Sequence, residues 1–350
     1  MKINYWGNNN YYHKLFDNNM ILEDIFKSCY KNEMTIDEIL NKINLPIRYV
    51  ITAIETLEQY GFIIKKRNKY ISNIIMIPNN IIENNLYFKN LITKIYKMID
   101  EYLTEQFNNK KFSELIFSDK SVNKSKIHLY SIILYITIME KLQLCLNNIP
   151  PKNKLGDEGF IWITTSEEKK ITEKINICNY FNEKKGIIHI IEHNEFNKKI
   201  SKIIDNDRYS DIIFEIANNK DASIKMFSKR EINDILVLNN HELLLYENGI
   251  IKINIFTYDK KTYQNIRLYL NNLTSTLAYE VEENYKKIYD EISKLIPKHL
   301  NKHLKQVVAL EMFRLIYSSV LSAFINENKF DCENFNNIHI SFIELFNNVN

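Results

Sequence analysis

The sharpest chemical pattern in the chain is His189-Ile190-Ile191-Glu192-His193. It sets two imidazoles and a carboxylate in the H-x-x-E-H order with which a metallohydrolase holds zinc and its general base. That chemistry needs both histidines on one face of a helix. Ile187, Ile188, Ile190 and Ile191 follow Gly186 as a β-branched run, which predicts a buried strand whose successive side chains point to opposite faces. A strand does not bring these rings to one ion, so no metal ligand is assigned and a metallohydrolase stays a distant alternative. His299 and His303 are spaced i, i+4, but Lys298, Lys302 and Lys305 around them would repel a cation; they read as a solvated basic face. Cys29, Cys145, Cys178 and Cys332 form no CxxC pair, which predicts buried free thiols. Six scattered glycines build no phosphate loop, and no serine sits in a G-x-S-x-G turn. No catalytic residue and no cofactor is assigned; the chain is read as a protein that is not an enzyme.

A different chemistry is offered by residues 46–69. If Val50, Ile54 and Leu57 form the buried stripe of a helix, advancing 100° per residue puts Arg48, Thr52, Glu55 and Gln59 on the opposite face. Arginine can take guanine bidentately, glutamine can take adenine, and threonine can meet a thymine methyl. Glu55 suits such a face only if it accepts from cytosine. These four are the candidates for base contacts. Lys65, Lys66, Arg67 and Lys69, with Tyr49 flanking the helix, are the candidates for the DNA backbone, where contacts orient without reading sequence.

The elements that would position them are legible locally. Residues 20–31 carry Ile21, Ile25, Phe26 and Cys29 along one side of a helix. Thr35-Ile36-Asp37-Glu38 supplies a capping box for a second helix through Ile43, and a third runs from about Pro46 to Tyr60, stopped by Gly61. Phe62 to Lys66 and Tyr70 to Ile75 read as strands of a hairpin. Leu45-Pro46, Val50, Ile54, Leu57 and Gly61-Phe62-Ile63 resemble the phrase of bacterial winged helix-turn-helix transcriptional regulators of the MarR and ArsR types. The resemblance covers about residues 20–76 and implies double-stranded DNA as partner. That stretch holds eight Lys/Arg against seven Asp/Glu, so a protein-interaction adaptor using the same module is the main alternative.

Beyond Pro78 the pattern predicts a helix over 81–107, a polar linker at 118–126, and an apolar helix at 127–147 whose apolar run, Ile127 to Met139, is too short for a membrane span. Strands are expected at 160–165, 175–181 and 187–191, with a hairpin across Glu247-Asn248-Gly249 joining 243–246 to 250–256. A long helix is expected over 264–296, another over 302–326, and a final strand at 338–345; no internal repeat is read. The fold class is α+β: a winged helix-turn-helix at 1–78, then a larger domain of helices and antiparallel strands at 79–350, with a possible helical sub-domain at 79–150. That larger domain is expected to sense a small-molecule or protein effector or to assemble a homodimer, since one winged helix contacts few bases.

The chain has 350 residues, a formal charge of +3 and a pI of about 8.3, too mild for a wholly basic surface. Its 40 Lys against 6 Arg, with 48 Asn, suggest an AT-rich bacterial genome. No signal-like apolar core follows the N-terminus, and a cytoplasmic location without membrane contact is expected.

Overall fold

The computed structural model describes residues 2–7, 15–16, 19–107, 109–116, 132–139, 159–165, 175–193, 203–204, 207–219, 222–326 and 340–346. The architecture is α+β. The chain divides into two compact units, one of residues 1–91, 142–169 and 280–315, the other of 92–141, 170–279 and 316–350. The linker expected at 118–126 and most of the helix expected at 127–147 lie outside the described residues. What is described of the latter is helical and widens to π geometry at Tyr135–Met139.

In the first unit, α1 (Met20–Lys31) starts where the Asn19 side chain accepts the Leu22 N–H, and it buries Leu22, Ile25, Phe26 and Cys29. Leu22, not Ile21, completes the stripe; Ile21 is half-exposed. Thr35 and Glu38 close a reciprocal capping box on α2 (Ile36–Ile43), and Pro46 caps α3 (Ile47–Gln59), which buries Val50, Ala53, Ile54 and Leu57. Phe16, Phe26 and Phe62 meet ring to ring at 5.4 to 6.2 Å, joining the helices to the hairpin below them. That hairpin is β2 (Ile63–Lys66) with β3 (Lys69–Ser72), and Met34 adds a bridge to Tyr70 on the free side of β3. The strand expected through Ile75 stops at Ser72, whose hydroxyl binds the Ile74 backbone. The chain then turns into β4 (Ile75–Pro78), which leaves the hairpin and pairs parallel with β5 (Gly159–Thr165). β1 (Lys2–Gly7) lies antiparallel on the other side of β5. The helix expected at 81–107 is two, α4 (Asn79–Glu83) and α5 (Leu86–Phe107), because Asn85 accepts the Tyr87 and Phe88 N–H groups and caps a new start.

In the second unit, β6 (Ile175–Asn182) and β7 (Gly186–His193) form the expected hairpin. They belong to a four-stranded sheet that is mixed, because a later strand, β11 (Phe256–Asp259), runs parallel to the C-terminal β12 (Ile340–Leu345). The helix expected over 264–296 breaks at Leu270 into α9 (Lys260–Tyr269) and α10 (Asn271–Ser293). Before these come α7 (Asp207–Asn218), β8 (Ala222–Ser223), a single 3-10 turn, α8 (Lys229–Asn240), β9 (Leu244–Glu247) and β10 (Ile250–Ile253). α6 (Lys110–Ile116) packs on α9 through Phe112 and Tyr269, 5.3 Å between rings.

Residues 207–259 repeat the construction of residues 20–78, so the absence of a repeat expected from sequence is corrected. A constant shift of 181 positions superposes the second half of each module. Phe62 N–H donates to the Leu57 carbonyl as Leu243 does to Leu238, and Asn73 N–H donates to Phe62 as Asn254 does to Leu243. The Asn73 side chain donates to the Gly61 carbonyl, and Asn254 donates to that of Glu242. Gly61 and Glu242 are both left-handed, at φ +73° and +59°, as are Arg67 and Asn248 at +57° and +52°. Met34 bridges Tyr70, and Ala222 pairs with Ile251. Ile25-Phe26 and Ile213-Phe214 are the matching buried pairs of the first helices. The second module lacks α2, which a 3-10 turn at Ile224–Met226 replaces.

The left-handed position behaves as a paired experiment, because glycine tolerates it and a β-carbon costs roughly 1–2 kcal/mol there. Glu242→Gly is expected to raise stability by up to about 1 kcal/mol and Gly61→Ala to lower it by a similar amount. Urea denaturation with unchanged m-values is the measurement.

Candidate nucleic-acid interface

α3 is held by its buried stripe against α1, so the opposite face is left to solvent. Arg48, Tyr49, Thr52, Glu55 and Gln59 are all exposed there. The Arg48 guanidinium lies 5.4 Å from the centre of the Tyr49 ring, which is 51% exposed. The Thr56 hydroxyl donates to the Thr52 carbonyl at 2.8 Å. Sequence reasoning missed Ile47, 57% exposed at the start of this face, and Glu58, half-buried near its end. The face is therefore graded: a cation and two large side chains at the N-terminal end, carboxylates toward the C-terminal end.

The hairpin carries the positive charge. Lys65, Lys66, Arg67 and Lys69 are all exposed, and Lys66 stands directly across the strand pair from Lys69. Like charges placed so repel. Among the described residues none of the four is in an ion pair. The Lys65 ammonium sits 5.6 Å from the ring of Tyr70, which is buried and anchored through its backbone to Met34 at 2.7 and 2.9 Å. Glu38, whose carboxyl is held below the usual range by the Thr35 N–H and hydroxyl, is lowered further by Lys69. A concentrated cationic loop mounted on a rigid, aromatic-backed base is suited to phosphate oxygens.

The other sequence candidates fall elsewhere. His189 and His193 do lie on a strand, β7, four residues apart, which is about 13 Å of strand length. His189 is buried in the second unit with Nδ1 3.1 Å from the Tyr135 hydroxyl, its ring stacked on Phe342 at 4.2 Å, and Nε2 4.0 Å from Glu344. His299 and His303 lie on a 3-10 helix (Lys298–His303), where residues four apart do not align, and His299 meets the Ser72 carbonyl at 3.1 Å. Among the described residues no group of three or more His, Cys, Asp or Glu could hold a metal. Cys29 is free and fully buried, its thiol pushed up to about 12 by burial.

No protein-family model matches the chain, and no solved structure matches it. Protein Ycf2 of Physcomitrium patens is 27% identical over 357 residues. The match covers 94% of this chain and spans about 15% of that protein's length. It is thus not confined to residues 20–78.

Burial lowers the pKa of His189 below its ordinary value, with Glu344 opposing. The folded state then binds a proton less readily than the unfolded chain, so stability is full above the unfolded pKa of about 6.5 and is lost as pH falls through it. The thermal midpoint is expected to drop between about pH 7 and pH 5, and His189→Gln to flatten that drop. Equal slopes in both proteins would contradict this account.

Proposed function

We propose that residues 20–78 are a winged helix-turn-helix that binds double-stranded DNA, with the β2–β3 hairpin as the wing and α3 as the helix facing the groove, and that the chain acts as a DNA-binding regulator. The order of helices and the sheet order, Met34 beside β3 beside β2, support the fold reading. The observation that carries the function is the cluster Lys65, Lys66, Arg67 and Lys69 on one tight turn, with Lys66 and Lys69 opposed. Their mutual repulsion is relieved by a polyanion. Each phosphate so neutralised releases close to one condensed counterion, a gain that does not depend on sequence.

The gradation of α3 sets how the bases are read. Glu55 repels phosphates, so the N-terminal end, with Arg48, Tyr49 and Thr52, approaches the groove most closely. Arg48 is the base-reading residue of this set and Tyr49 its backing surface. One such module reads few base pairs, and a symmetric dimer on a palindromic site supplies the rest.

Fluorescence anisotropy on one selected and one scrambled duplex at several salt concentrations tests this. Changing Lys65, Lys66 and Arg67 to alanine is expected to weaken both duplexes and reduce the slope of log affinity against log salt by up to about 3. Arg48→Ala is expected to cost about 1–3 kcal/mol on the selected duplex alone, and Glu55→Gln to tighten both. Wild type without salt-dependent affinity for either duplex would remove the DNA reading and leave Arg48, Thr52 and Gln59 as a protein-docking face.

A further inference from the structure

The second module has the backbone of the first and a different surface. At the 181-residue shift, Lys65 is matched by Tyr246, Lys66 by Glu247, Arg67 by Asn248 and Lys69 by Ile250. Four cations become one anion and three neutral side chains, and Tyr246 and Ile250 are exposed. The turn itself is kept, with Asn248 left-handed like Arg67, so the fold demands that conformation and not a basic residue within it. On the helix, Glu55 is matched by Leu236, exposed at 43%, and Thr52 by Asn233. Only the first turn stays cationic, with Lys229 and Arg230 where Arg48 and Tyr49 stand. Residues 207–259 hold six Lys/Arg against nine Asp/Glu, whereas 20–78 hold eight against seven.

We propose that of the two modules only the first contacts nucleic acid, the second being a copy of the same fold whose hairpin is kept but carries none of the phosphate-binding cations. This rests on the DNA reading of the first module and deepens it. Two modules in one chain would be the economical way to span two half-sites. The side chains of the second withdraw that option, so bivalent binding requires a second copy of the chain.

The phosphate term shows why the wing decides this. A wing making three or four phosphate contacts releases roughly 3 counterions, and without it Lys229 and Arg230 at a helix start cannot hold a duplex against physiological salt. Nor does core chemistry explain the change. The inward residues Leu243, Leu244, Ile251 and Ile253 are as apolar as Phe62, Ile63, Tyr70 and Ser72 require for packing, and all eight are buried.

The test uses the full chain and a fluorescein-labelled duplex of about one and a half helical turns, titrated well above its dissociation constant. Wild type is expected to saturate at one module's worth of duplex per chain, and Lys229→Ala with Arg230→Ala to leave affinity within twofold. Restoring the first wing's charges in the second (Tyr246→Lys, Glu247→Lys, Asn248→Arg, Ile250→Lys) is expected to add a second, salt-sensitive site per chain. Circular dichroism and the thermal midpoint report whether that variant folds. Two sites per chain in wild type, a several-fold loss in the Lys229/Arg230 variant, or no second site in a folded charge-restored variant would each overturn the proposal while the DNA reading stands. Wild type that binds no duplex overturns both.

Discussion

Both modules depend on one reversal of the backbone. At the end of the long helix the chain must leave helical geometry, turn through a left-handed residue and enter the hairpin in the right direction. The turn is held by an asparagine twelve residues further on. Asn73 receives this duty in the first module and Asn254 in the second, each donating its side-chain amide to the carbonyl of the left-handed residue, at 3.3 and 2.8 Å. Their backbone N–H groups donate to the next residue along, at 2.9 and 3.0 Å. The Asn73 bond is part-buried and the Asn254 bond exposed, so what the two share is geometry: each ties the end of the hairpin to the turn that ends the helix.

Given the same clamp, the two modules separate scaffold from surface. The buried half of the second module is tied differently in detail. Arg208 on α7 pairs with the buried Asp234 on α8, at positions held in the first module by Met20 and Ala53. Even so, the positive-φ residues and the sheet order are kept. Surface residues therefore vary independently of the backbone, and a basic hairpin on one copy is a property of that copy. The helical face of the first module carries the opposite charge, with Glu55 exposed and Glu58 half-buried in the C-terminal half of α3.

Local signals were legible in the sequence wherever a single residue dictates geometry. Thr35 and Glu38 announced α2, Pro46 and Gly61 bounded α3, and Asn248-Gly249 marked a hairpin. The repeat was hidden by what separates its halves. Loss of α2 shortens the second module by seven residues between its first helix and its hairpin, and the two hairpins share almost no residue types. Conserved geometry rests instead on Asn73 and Asn254, common residues in a chain with 48 asparagines. The Tyr135, His189 and Glu344 cluster was invisible for another reason: its members come from three distant segments, two of them paired strands and the third a helix packed on them. The break at Leu270 escaped because apolar spacing continues across it, and both Ile266 and Leu273 stay buried.

The same limit of pattern reading applies to α11 (Leu304–Asn326). By length and composition Lys298–Phe324 could cross a membrane, although no membrane is part of the structure. Its interior polar residues argue for a role as a core helix. Glu311 is wholly buried, accepts the Trp162 indole N–H at 2.8 Å and pairs with Arg314 one turn on. An isolated buried carboxylate would be prohibitively costly, and removing one partner of a buried pair costs several kcal/mol. Trp162 on β5 thus supplies a donor that a helix surrounded by hydrocarbon would lack, and the strand and the helix are fixed to each other by it. The hydropathy of a segment counts its apolar residues; its environment is set by which partner the one polar residue has found.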